Sequence, residues 1–138
     1  MAPTFLVDKS ALARLPRPAV DRRLTPLLLA GDVATCGIID LELLYSARTH
    51  ADFVEIQTDR RALPRVDIAQ LDFDRAIAVM ELLARRGKHR GASLPDLLIA
   101  AVAERADLTV LHYDRDFELI ASVTGQDVEW VVAPGSVP

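Results

Sequence analysis

Five carboxylate residues lie in or beside short apolar stretches, at four places along this chain. They are Asp8, Glu42, Asp96, Asp114 and Asp116. A carboxylate is costly to bury beside apolar residues unless a counter-charge is present, so this repeated placement implies a shared cation. Hard oxygen donors, with no cysteine or histidine cluster among them, suit a divalent ion such as Mg2+ or Mn2+. The pattern therefore predicts a metal-dependent hydrolase of phosphate esters.

Most of these carboxylates also have an ordinary structural explanation. An aspartate that follows a strand, as Asp8 does, often bonds its own backbone in a turn. Ser93 and Asp96 match a capping box, and Asp116 is expected to be the N-cap of a helix. Glu42 is harder to explain in this way, because at helical spacing it shares a face with apolar residues that should be buried. Four such explanations are needed at once, which favours the metal site.

Other catalytic chemistries find little support. There is no Walker-type glycine loop and no Gly-x-Ser-x-Gly elbow, and the three histidines lack zinc-ligand spacing. Cys36 is the single cysteine, which excludes an internal disulfide, and its apolar neighbours predict a core residue. Aromatic residues are few and scattered, which argues against a base-stacking platform. Trp130 is expected in the core or at an interface.

Length and composition predict one domain over residues 1–138. The chain has 138 residues, 51% of them hydrophobic, which suffices for a core without disulfides. The N-terminus lacks a basic region followed by an apolar run, and no stretch reaches the roughly 18 apolar residues of a membrane span. We therefore expect a cytoplasmic protein.

One basic segment stands out against an acidic background. The formal net charge is −4, which argues against nucleic-acid binding through attraction by the whole surface. Residues 85–91 nevertheless carry four fixed positive charges just before Asp96, so we predict RNA-phosphate contacts from Arg86, Lys88 and Arg90. The alternative is a solvated helix end, where cations suit the helix dipole.

The elements that must position these residues alternate between strand and helix. Strands are predicted at 5–7, 33–35, 65–68, 109–111 and 128–132. Helices are predicted at 19–30, 38–47, 50–62, 71–86, 93–105 and 117–122. This alternation predicts an α/β sandwich around a mainly parallel sheet. Sites in such sheets form beyond the carboxyl ends of the strands, where Asp8 and Asp114 are expected.

Four segments of the chain resemble the PIN-domain ribonucleases, specifically the VapC toxins of bacterial type II toxin–antitoxin pairs. They are residues 5–12, 39–47, 91–101 and 111–117. Their order and spacing carry the resemblance over nearly the whole chain. It implies a single-domain, three-layer α/β/α PIN-like fold with a mainly parallel sheet.

The resemblance also implies an activity and partners. Asp8, Glu42, Asp96 and the Asp114/Asp116 pair would converge on Mg2+ or Mn2+ and hydrolyse RNA phosphodiester bonds. Asp8, Glu42, Asp96 and Asp116 would be metal ligands, although spacing leaves the choice between Asp114 and Asp116 open. Ser10 would be a helper near the pocket. A cognate small antitoxin and a homodimer, or a heterotetramer or larger assembly with the antitoxin, follow by family analogy.

Two other functions remain open at this point. The first is a PIN-type nuclease in RNA or DNA processing that has no antitoxin, and the small size of the chain favours the toxin over it. The second is a non-catalytic scaffold that binds nucleic acid, against which the intact acidic set argues. The RNA target is not predicted, because selection by such enzymes depends on RNA shape around a generic phosphate site.

Overall fold

A computed structural model describes residues 2–138, and Met1 lies outside the described residues. The strands are β1 (Phe5–Val7), β2 (Val33–Ala34), β3 (Thr109–His112) and β4 (Val128–Trp130). They pair in parallel in the order β2-β1-β3-β4. The helices are α1 (Lys9–Leu12), α2 (Pro18–Leu29), α3 (Gly37–Tyr45), α4 (His50–Arg61), α5 (Gln70–Ala84), α6 (Leu94–Arg105) and α7 (Arg115–Thr124). None of the described helices is long and apolar enough to cross a membrane.

The sheet is covered on both faces, because its strand residues alternate between two apolar cores. Leu6 and Val110 belong to a core shared with α3, α5, α6 and α7. Phe5, Val7 and Leu111 belong to a second core, shared with α1, α2 and the C-terminal segment. Successive side chains of a strand point to opposite faces of the sheet. One core therefore lies on each face, between the sheet and a layer of helices, and the fold has three layers. The predicted α/β/α fold with a parallel sheet is confirmed.

Local signals explain several helix ends. Pro18 occupies the first turn of α2, where its missing N–H costs nothing. Gly31 follows α2 and Gly87 follows α5, with φ of 71° and 69°, a left-handed conformation that glycine adopts without strain. Ser93 caps α6 by accepting a hydrogen bond from the backbone N–H of Asp96.

Two predictions about local structure are wrong. Residues 65–68 form no strand beyond a single bridge between Arg65 and Thr35. The carbonyl of Asp67 accepts a 2.6 Å hydrogen bond from the Arg105 side chain instead of one from a neighbouring strand. The N-cap of α7 is Asp114 rather than Asp116, because the Asp114 side chain accepts the Asp116 N–H at 2.9 Å.

Candidate active site

The first carboxylate of the site directly follows the central strand β1. The backbone N–H of Asp8 donates to the carbonyl of Leu111 at 2.9 Å, which fixes Asp8 at the carboxyl edge of the sheet. Its Oδ2 accepts the N–H of Ser10 at 2.9 Å and so caps α1. Its Oδ1 is buried and has no hydrogen-bond partner among the described residues. A buried carboxylate oxygen without a partner is costly, so Asp8 is poised for a cation or a proton.

Three further carboxylates meet where α6 and α7 begin. Asp96 lies in the first turn of α6, while Asp114 and Asp116 lie at the cap and first turn of α7. The backbone N–H of Ser93 donates to Asp116 Oδ2 at 3.0 Å and joins the two helix starts. Each of the three aspartates offers an oxygen within 4.8 Å of the oxygens of the other two. This spacing is suitable for oxygens that share one ion.

The fifth carboxylate, Glu42, comes from α3. Its Oε1 is buried and, like Asp8 Oδ1, finds no hydrogen-bond partner within residues 2–138. Burial raises the pKa of Glu42, and the nearby charge of Asp8 raises it further. Glu42 therefore faces the same group of carboxylates from a different helix.

All six residues predicted for the acidic site line one cleft of about 280 Å³. They are Asp8, Ser10, Glu42, Asp96, Asp114 and Asp116. The structure thus brings them together, and their catalytic and metal-binding roles stay predictions. We call this space the acidic cleft.

Besides Ala13, four other residues of the acidic cleft were not among the predicted site residues. They are Lys9, Arg14, Ser93 and Tyr113. Lys9 is adjacent to Asp8, and Arg14 follows Ser10 at a one-turn spacing, so the sequence could have indicated both. It could not have indicated Tyr113, because the backbone N–H of Tyr113 reaches Ser10 Oγ, at 2.8 Å, only through the pairing of β1 with β3.

The electrostatics of the cleft show a shortage of positive charge. Burial raises the pKa of Asp96 to about 9, and a hydrogen bond with Asp116 adds to the shift. Burial also raises the pKa of Asp8. Within residues 2–138, none of the five site carboxylates forms an ion pair with a lysine or arginine. Unpartnered buried oxygens in an all-oxygen donor set fit a hard divalent cation.

Asp40 shows how this chain treats a buried aspartate outside the acidic cleft. Arg60 donates to its Oδ1 at 2.9 Å, Arg65 bonds its Oδ2, and Thr35 donates a third hydrogen bond at 2.9 Å. Burial alone would raise the pKa of Asp40, but these partners hold it below its usual value. The lack of partners is therefore a property of the acidic cleft and not of buried carboxylates in this fold.

His112 is a buried residue that contacts the start of α7, next to the acidic cleft. It is fully buried between the rings of Phe117 and Trp130, whose centroids lie 5.0 and 4.9 Å from its own. Burial lowers the pKa of His112 to about 4, so the imidazole is neutral at pH 7. Its Nδ1 accepts the backbone N–H of Asp114 at 3.1 Å. A neutral histidine thus holds the start of α7 in place, a role that the sequence did not indicate.

The basic segment predicted to contact RNA does not line the acidic cleft. Arg86, Lys88 and Arg90 are exposed in the turn that links α5 to α6. The turn packs closely on α7, since a Cβ added at Gly91 would lie 2.6 Å from Leu119. The hydrogen bond from Ser93 to Asp116 then joins its end to the cleft. RNA binding by the segment stays a prediction.

Comparison with known proteins agrees with this geometry. Residues 5–123 match the PIN domain family. The chain is 49% identical over 137 residues to ribonuclease VapC21 of Mycobacterium tuberculosis, covering 99% of both chains. It is 44% identical over 137 residues to ribonuclease VapC51 of the same organism, again covering 99% of both. The fold and the acidic cleft are those of a PIN-domain protein, and the chain belongs to the VapC ribonucleases within that family.

Solved structures of lower sequence identity share the fold. A chain of the DNA-bound VapBC complex from Salmonella typhimurium superposes with a TM-score of 0.75 at 20% identity, covering 94% of this chain and 99% of that one. A chain of the toxin–antitoxin complex from Klebsiella pneumoniae gives a TM-score of 0.71 at 20% identity, with 94% and 98% covered.

Proposed function

We propose that this protein is a Mg2+- or Mn2+-dependent endoribonuclease and the toxin of a toxin–antitoxin pair. The observation that carries the proposal is the acidic cleft, where five carboxylates share no cationic partner among the described residues. The ribonuclease relatives at 49% and 44% identity support RNA as the substrate. A single domain over residues 1–138 is supported by Val131 and Val137, which pack into the second core.

Asp8, Glu42, Asp96 and Asp116 would hold the divalent ion. When bound, such an ion offsets charge on the phosphoryl group and activates water for attack. The four carboxylates, fixed by β1, α3, α6 and α7, would set where that ion lies. The pKa of Asp96, raised to about 9, means that this group releases its proton as the ion binds.

Three further residues of the cleft have supporting roles in this proposal. Asp114 orients Asp116 through the cap of α7, and it is therefore a positioning residue. Ser10 accepts the Tyr113 N–H and thereby fixes the loop after β3, so it acts through structure. Lys9 lines the same cleft and would counter the charge of an RNA phosphate that enters it.

An antitoxin has a candidate binding surface beside the acidic cleft. An apolar groove of about 290 Å³ lies between α1, α2, α3 and α4. Its apolar lining consists of Leu12, Leu15, Leu28, Leu43, Ile56 and Leu63. An amphipathic segment of a small antitoxin would bury its apolar side chains there. The VapBC and toxin–antitoxin complexes among the structural neighbours support a partner of this kind.

A homodimer would use a different surface. Ile38, Phe73, Leu94 and Leu98 line an almost wholly apolar groove, and Phe73 and Leu94 are 47% and 70% exposed. Burial of such a patch against a second copy is favourable. Light scattering of the purified chain tests this, since Phe73→Glu should convert a dimer to a monomer.

The decisive experiment follows RNA cleavage by the purified protein with Mg2+ or Mn2+ and maps the new ends. Attack by water does not use the ribose 2′-hydroxyl, so products should carry no 2′,3′-cyclic phosphate. Cleavage should also survive a 2′-O-methyl group beside the cut bond. If RNA is bound but never cleaved with either ion, the non-catalytic scaffold replaces this proposal. If cleavage occurs but no antitoxin inhibits it, the processing nuclease is the better description.

A further inference from the structure

A second cleft adjoins the acidic cleft and shares a wall with it. Its volume is about 440 Å³, within the range of about 300–1,000 Å³ that is usual for small-molecule sites. Arg14, Tyr113 and Asp114 line both clefts. Arg115, Trp130 and residues near the C-terminus complete the second one. A polymer held in the acidic cleft would therefore extend into this space without leaving the protein surface.

Planar groups gather at this cleft although they are far apart in sequence. The rings of Tyr113 and Trp130 lie 5.5 Å apart at 89°. Parallel pairing of β3 with β4, which places His112 opposite Trp130, brings them together. Trp130 is half-buried, and its Nε1 donates to Glu118 at 3.0 Å, which holds the indole in place. The scattered aromatic residues of the sequence thus form a local cluster in the fold.

The guanidinium of Arg14 is a third planar group at this cleft, and hydrogen bonds to main-chain oxygens hold it in position. Its guanidinium lies 4.5 Å from the centroid of the Tyr113 ring. Its Nη1 donates to the carbonyl of Ser10 at 2.7 Å, and its Nε donates to a main-chain oxygen of Pro138 at 3.0 Å. Because the side chain is already ordered, stacking on it costs little conformational entropy.

The charges of the second cleft suit an anion. Two arginines line it, and its one aspartate, Asp114, is shared with the acidic cleft. Arg115 is exposed and forms no ion pair with any residue of the described part of the chain. A free guanidinium beside flat side chains is the combination that binds single-stranded nucleic acid.

We propose that the second cleft binds one nucleotide of single-stranded RNA next to the bond that is cut. Its base lies against Trp130 and the guanidinium of Arg14, and its phosphate lies near Arg115. This inference rests on the proposed ribonuclease function and adds the substrate class. Bases in a duplex are already paired and stacked, so the subsite selects loops, bulges and free ends, with little preference for base identity.

The fluorescence of the protein reports directly on this subsite, because Trp130 is the single tryptophan of the chain. Wild-type protein is titrated in chelator with a short single-stranded RNA, and gels confirm that the RNA stays intact. A stacked base should quench the tryptophan. The titration is repeated with an RNA backbone of the same length whose residues are all abasic, and quenching should disappear. Equal quenching by the abasic RNA would overturn the proposal.

Variants of Trp130 distinguish loss of base stacking from loss of protein stability. Trp130→Leu should weaken single-stranded RNA binding about tenfold, the scale expected when one base can no longer stack, whereas Trp130→Phe should keep most of the affinity. Tyr45→Leu is the matched control, because Tyr45 is 91% exposed on α3 and does not line either cleft. Arg115→Gln should reduce the dependence of log affinity on log salt by about 0.7, as expected when one phosphate of a single strand is no longer neutralised.

Failure of this inference can be distinguished from failure of the proposed function. If the protein cleaves RNA but Trp130→Leu cleaves and binds like wild type, the second cleft is not a nucleotide subsite. If no divalent ion supports cleavage but the quenching that depends on bases is present, the subsite stands and the nuclease proposal falls. If Trp130 responds to the antitoxin and not to RNA, the cleft is a protein-binding site and the inference is wrong.

Discussion

The carboxylates of Asp96 and Asp116 approach within 4.8 Å at the starts of two neighbouring helices, and neither is paired with a lysine or arginine among residues 2–138. Burial raises the pKa of Asp96 to about 9, and its hydrogen bond with Asp116 adds to the shift. An unburied aspartate titrates near 3.8. Between these pH values the folded chain, free of metal, therefore binds more protons than the unfolded chain, so folding is opposed as pH rises.

The first prediction is that the metal-free protein loses stability as pH rises from 7 to 9. The raised pKa of Asp96 gives a contribution that is complete below about pH 3.8 and is lost as pH approaches 9. The slope should be at most about 1.4 kcal/mol per pH unit from this one group. Thermal unfolding in EDTA measures it, and Mg2+ should raise the melting temperature more at pH 9 than at pH 7.

Two features make that measurement specific. His112 affects the pH dependence of stability in the opposite direction, because burial lowers its pKa to about 4. Its contribution to the stability no longer changes above about pH 6.5. The chosen window therefore excludes it. Asp96→Asn should flatten the pH slope in EDTA and should be more stable there than wild type. A wild-type melting temperature that rises between pH 7 and 9 in EDTA would contradict the shift.

The second prediction separates two kinds of buried aspartate. Asp8→Asn and Asp96→Asn should each lower RNA cleavage at least 100-fold while leaving the fold intact, because an amide keeps the shape but is a weaker ligand for a hard cation. Asp40→Asn should do the reverse. It should destabilise the fold by about 3 kcal/mol, since it leaves Arg60 and Arg65 without their partner, yet retain cleavage per folded molecule.

Cleavage rates and denaturant unfolding, measured on the same preparations, decide between these outcomes. If a well-folded Asp96→Asn variant cleaves RNA at the wild-type rate, Asp96 has only a structural role in the first turn of α6. Loss of cleavage in folded Asp40→Asn would instead extend the functional site beyond the acidic cleft.

The third prediction concerns the basic turn between α5 and α6. Replacing Arg86, Lys88 and Arg90 by glutamine should weaken RNA binding and reduce the salt dependence of log affinity by roughly one unit for each phosphate that the turn no longer binds. The cleavage sites should stay the same, because the acidic cleft is untouched. A control with the same change of charge uses three exposed arginines of other segments, Arg22, Arg48 and Arg61. Identical salt slopes for the two triple variants would make the turn a solvated helix end.

The fourth prediction concerns inhibition by the antitoxin. Carboxylates that lack a cation attract a guanidinium, whose planar fork matches their oxygens. We expect an antitoxin arginine to enter among Asp8, Glu42, Asp96 and Asp116 while an apolar segment occupies the groove near Leu43. Changing that arginine to alanine should restore nuclease activity more than it weakens the complex. An antitoxin without any arginine that inhibits equally well would exclude this mechanism.

The sequence predicted the positions of the cleft carboxylates well where the signal was local. Asp8 follows an apolar strand, and Ser93 with Asp96 matches a helix start, so each carboxylate was placed on its element by its neighbours. Predictions from the sequence were wrong where tertiary contacts determine the local structure. Residues 65–68 have strand-forming side chains, but Arg105 takes the carbonyl of Asp67. The choice between Asp114 and Asp116 as cap also failed, because both residues occupy the same turn and only the backbone angles separate them.

Interactions between distant residues could not be predicted from local patterns. The strand order β2-β1-β3-β4 brings Tyr113 beside both Ser10 and Trp130, and no spacing in the sequence indicates either neighbour. The buried partners of Asp40 are similarly distant, since Arg60 and Arg65 come from α4 and the loop after it. The sequence therefore predicted which carboxylates meet in the acidic cleft better than which residues support them.

We infer above all that the acidic cleft cleaves RNA only with a divalent ion, and a single metal titration is the sharpest test. Purified protein is stripped with EDTA, and cleavage of a defined RNA is followed as Mg2+ or Mn2+ is added back, with Asp96→Asn in parallel to exclude contaminating ribonuclease. We expect no cleavage in EDTA, recovery by either ion and none in the variant. Cleavage in excess EDTA by wild type, absent from Asp96→Asn, would show that the cleft works without a metal and would refute metal dependence.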